Sequence, residues 1–61
     1  MTDAAEREKL LAEAAALRER AREARALANE VKDDLIRSIL KQRAADCDKE
    51  AEALEARARI H

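Results

Sequence analysis

The 61-residue sequence predicts an all-α chain: an antiparallel helical hairpin of two long helices that dimerises into a four-helix bundle. Three observations carry that expectation. The chain has no Gly, no Pro and no aromatic residue, and 16 of its 29 hydrophobic residues are alanine, the best helix former. Its apolar residues recur at helical spacing in two runs. The two runs disagree in phase, and a reversal of the chain reconciles them.

The first helix is expected over about 3–28. Leu10, Ala14, Leu17, Ala21, Ala24, Ala28, Val31 and Leu35 follow alternating steps of four and three, a seam along one helix face. Thr2 or Asp3 can cap its start. The second helix is expected over about 34–60. Its seam runs Ile36, Leu40, Ala44, Cys47, Ala51, Leu54 and Ala58, and Arg57, Arg59 and His61 suit its negative end.

The step from Leu35 to Leu40 fits neither spacing. In the alternative, a single long coiled-coil helix, the two seams would point more than about 100° apart. Folding back instead pairs Leu10 with Leu54, Leu17 with Cys47, Ala24 with Leu40 and Ala28 with Ile36, all about Lys32. The turn is therefore placed at about 29–33, inside "ALANEVKDDLIRS". Asn29 is the residue there that enters the left-handed C-cap conformation most cheaply. Asp33 can cap the second helix through the amide of Leu35 or Ile36, and Asp34 suits its first turn. Residues 1–61 make one small domain. A core made mostly of alanine is thin, so a second copy or a partner is expected.

Residues flanking the seam divide into two sides. Near the turn, Leu27, Val31, Leu35 and Ile39 gather on one of them, either widening the core or forming a self-association or partner-docking face. The other collects Arg18, Arg22, Arg25, Arg37 and Lys41, with Asp48, Glu52 and Glu55 farther from the turn. This stripe reads as a solvated face, or as a surface for an anion or an acidic partner. Two hairpins docked antiparallel would match its basic half to its acidic half.

The residues offer little for catalysis. Cys47 reads as a small buried hydrophobe, and its neighbours Asp46 and Asp48 are acidic, the opposite of what a reactive thiolate needs. One Cys and a terminal His do not suggest a metal site, and no cofactor is expected. No Gly-rich phosphate loop or nucleophile–base set is present, so the chain is expected not to be an enzyme. No apolar run is long enough to span a bilayer and no signal-peptide pattern is seen. A lone cysteine suits a reducing, cytoplasmic setting. A net charge of −1 with 44% charged residues argues against a general polyanion binder.

The stretch "LRERAREARALANEVKDD" resembles a class of small bacterial helical-hairpin proteins with Arg- and Ala-rich first helices. The matching positions are Arg18, Arg20, Ala21, Arg25, Ala26, Leu27, Ala28 and Asp33. Asp34 stands where that class carries proline, and the class implies no activity. In length and layout the chain is also similar to the ROP family of plasmid copy-number regulators, hairpins that dimerise and bind paired RNA loops. No motif is shared, and the aromatic residue of the RNA-binding face has no counterpart here.

The leading functional expectation is a small homodimeric module that regulates or inhibits a larger protein partner by helix-to-helix docking. The second is a nucleic-acid binder, a ROP-like RNA regulator using Arg18, Arg22 and Arg25. The third is a purely structural or engineered coiled-coil bundle.

Overall fold

A computed structural model describes residues 4–60. Helix α1 spans Ala4–Glu30 and helix α2 spans Asp34–Ile60. The two pack against each other as an antiparallel hairpin measuring 49 × 13 × 9 Å between Cα atoms. A width of 13 Å leaves about 8 Å between axes once each helix's Cα cylinder is allowed for, the close end of the usual range.

Alanine permits this approach. The buried residues are Leu10, Ala14, Ala21, Ala24, Ala28, Ala44, Ala51 and Ala58. Every one lies on the two seams. Larger seam members, Leu17, Leu40, Cys47 and Leu54, are only half-buried. Among the described residues no side chain larger than alanine is fully enclosed.

The connector 31–33 is shorter than the expected turn, because Asn29 and Glu30 remain helical. The left-handed cap expected at Asn29 is absent, since no described residue has a positive φ. Side chains close the reversal instead. The Val31 amide donates to the Leu27 carbonyl at 3.1 Å and completes α1. The Arg37 guanidinium donates to the Val31 carbonyl at 2.8 Å, so an end carbonyl is satisfied without a left-handed residue. Asp33 then starts α2 as its N-cap. Its Oδ1 accepts from the Leu35 amide at 2.9 Å and the Ile36 amide at 3.1 Å, and its carbonyl accepts from the Arg37 amide. The Thr2, Asp3 and His61 expectations lie outside the described residues.

The first seam ends at Val31 in the connector, and the second is covered only from Leu40 onward. Leu35 is 70% exposed and Ile36 48% exposed. The connector resets the helical phase, so Leu35 no longer continues α1. Nine residues before Ala44, it lies about half a turn of the helical wheel from α2's buried alanines.

Candidate functional site

The seam has two flanks with different chemistry. On both helices alanine recurs every seven residues, at 14, 21 and 28 and at 44, 51 and 58. The larger seam residues recur beside them, at 10, 17 and 31 and at 40, 47 and 54. In an antiparallel pair the alanine rows share one flank and the larger rows share the other.

One turn beyond the first two alanines of each row stands a charge. Arg18 and Arg25 follow Ala14 and Ala21; Asp48 and Glu55 follow Ala44 and Ala51. They meet across the hairpin. Arg18 donates to Glu55 through Nη2 at 2.8 Å and Nε at 3.3 Å, a forked pair, and its Nη1 reaches Asp48 at 3.4 Å. Arg25 Nη2 donates to Asp48 at 2.6 Å. The hydrogen bond from Arg25 lowers the Asp48 pKa, against an opposing cost of desolvation, and the charge of Arg18 adds to the lowering. The hydrogen bond from Arg18 likewise lowers Glu55.

These contacts revise the basic stripe. Arg18 and Arg25 spend their charge on carboxylates of the same chain, so the acidic and basic halves meet within one hairpin. Arg22 points outward beside Glu19, 3.7 Å away. Arg37 belongs to the turn, holding the Val31 carbonyl and lying 3.4 Å from Asp34. Lys41 remains on the exposed surface of α2.

The leucine flank is unfinished. Among the described residues, shallow grooves run along it, two of which share Arg20. One is lined by Glu13, Ala16, Leu17, Arg20, Glu50 and Leu54. The other is lined by Arg20, Glu23, Ala24, Leu27, Leu40, Arg43 and Cys47. Cys47 is a free thiol packed beside Ala21, Ala24 and Ala44. Of the four residues expected to form a turn-end face, Leu27 lines this flank at 52% exposure and Ile39 lies on α2's outer edge at 52%. Val31 is half-buried in the connector. Leu35 faces away. The exposure of Leu27, Leu35 and Ile39 means that they do not widen the core of the chain.

The rim charges Glu13, Arg20, Arg43 and Glu50 were not visible as a set in the apolar spacing. Each stands one turn before a seam residue of the leucine row, and that offset is the signal that finds them.

Among the described residues no group of His, Cys, Asp and Glu is placed to hold a metal ion, and no helix is long and apolar enough to cross a membrane. Compared with known proteins, the chain matches no protein-family model, no curated protein and no solved structure.

Proposed function

We propose that this chain is a small non-enzymatic interaction module that regulates or inhibits a larger protein by laying a helix flank against it. The observation that carries the reading is the leucine flank. Leu17, Leu27, Leu40, Cys47 and Leu54 line adjoining grooves, and the chain buries none of them. Large apolar side chains at helical spacing with a charged rim are what helix-against-helix recognition uses. The grooves are open and lined by leucine, alanine and singly placed charges, which suits docking better than enclosing a substrate. A cytoplasmic setting suits the free thiol. An RNA-binding role for Arg18, Arg22 and Arg25 would have to draw Arg18 and Arg25 away from Asp48 and Glu55.

Recovery of the tagged full chain from its native cells tests the reading. The expected result is one protein in stoichiometric amount, lost with Leu27→Glu/Ile39→Glu and kept with Leu35→Glu. Recovery of nuclease-sensitive RNA, or a protein partner indifferent to the first variant, would overturn it.

A further inference from the structure

We propose that the leucine flank is also where two copies of this chain meet, with their turns at opposite ends. The proposal rests on the reading of that flank as a docking surface and names its occupant.

The first support is the unfinished packing. Leu17, Leu40, Cys47 and Leu54 stay half-exposed toward the grooves. The flank is about 40 Å long, from 27 residues per helix, and about 20 Å wide. That offers about 800 Å² per copy, the size of a standard stable interface.

Charge selects the occupant and its direction. A mirror between Val31 and Lys32 sets Glu13 across from Glu50 and Arg20 across from Arg43. The linings are consistent with this: both glutamates border one groove, which Arg20 also reaches, and both arginines border the other, together with Glu23. Like therefore faces like, the reverse of the alanine flank. Among the described residues no ion pair engages any of these four.

Leu17 and Cys47 mark the middle of the hairpin. Relative to them, Glu13 and Glu50 lie about 5 Å away from the turn, and Arg20 and Arg43 about 5 Å toward it. A second copy related by a two-fold axis across the helices at that level inverts this order. Each acidic pair then lies over the other copy's basic pair, whichever helix covers which, and the surface is complementary to itself. The axis sets each helix over its own counterpart, so Leu54 comes over the second copy's Leu40 and Leu10 over its Ala24. Copies with turns at the same end would stack glutamate on glutamate and arginine on arginine.

Two measurements on the full chain test this. In a Cys47→Ala background, a spin label on Lys32→Cys should give an intermolecular distance of about 45 Å, at about 1.5 Å per residue. A distance under about 20 Å, two helix diameters, would place the turns together and overturn the proposal. In sedimentation at low salt, Glu13→Lys/Glu50→Lys and Arg20→Glu/Arg43→Glu should each weaken self-association about tenfold or more, and mixing them should restore it. A wild-type chain that stays monomeric, or a mixture no tighter than either variant alone, would overturn it. A monomer that still binds its larger partner through Leu27 and Ile39 would leave the docking function standing. A dimer that recovers no such partner would support the pairing and refute that function.

Discussion

The alanine flank and the leucine flank come from the same two helices, and both carry acids and bases beside a seam. On the alanine flank the small side chains let the helices close, and arginines of one helix pair with carboxylates of the facing helix. On the leucine flank larger side chains stand in a shallow groove and equal charges face each other. The difference arises from an offset of one turn. Residues four after the alanines alternate in sign between helices, and residues four before the leucines do not. A single seam thus has one flank that the chain closes for itself and one that it leaves open.

Enlarging the alanine row should break the contrast most severely. Ala21→Leu or Ala51→Leu is expected to cost about 1–3 kcal/mol through overpacking. For a chain of this size the melting temperature would fall by roughly 4–8 °C per kcal/mol, measured by circular dichroism. Ala16→Leu, on the open groove, should stay within about 0.5 kcal/mol. Equal losses at the two places would mean that the flanks do not differ in packing.

Asp33→Ala provides a reference that belongs to neither flank. Removing the cap of α2 should cost about 1 kcal/mol in thermal or urea unfolding. Asp33→Asn should recover most of that loss, and an unchanged midpoint for the alanine variant would refute the capping role.

Acid should test the alanine flank through its charges. Asp48 and Glu55 are lowered in the folded chain, so their contribution is complete above their ordinary values of 3.8 and 4.5. It is lost as pH falls through the lower folded values. Asp48→Asn/Glu55→Gln should flatten that part of the stability profile. An acid profile identical to that of the wild-type chain would contradict the pairing described here.

Smallest is the effect of Arg25→Gln. It removes one exposed ion pair, and the loss should shrink as salt is added. A loss that persists at high salt would show that Arg25 packs across Ala21 more than it pairs with Asp48.

Much of the fold was legible because a heptad needs only periodicity. Leu10, Ala14, Ala21 and Ala28, with Ala44, Ala51 and Ala58, line the helix contact because their spacing returns each to one face. Asp33 was legible because capping is local and depends on two amides close in sequence. Asn29 misled, since the demand of a helix end for hydrogen bonds is met here by Arg37, six residues after Val31. The partners of the arginine stripe were not legible for a related reason. Spacing on one helix places Arg18 and Arg25 together, but the carboxylates that neutralise them come from the facing helix. Leu35 shows the limit of phase counting: three connector residues suffice to turn a seam position outward.

Cys47 tests the central claim directly, as it sits at the middle of the leucine flank and is the only thiol in the chain. Its labelling rate with a small maleimide, relative to a free thiol under the same conditions, should fall as protein concentration rises through the range of self-association. Glu13→Lys/Glu50→Lys should restore fast labelling at concentrations where the wild-type chain is protected. A rate that is the same at every concentration would contradict the account, because the flank would then remain open whether or not another copy is present.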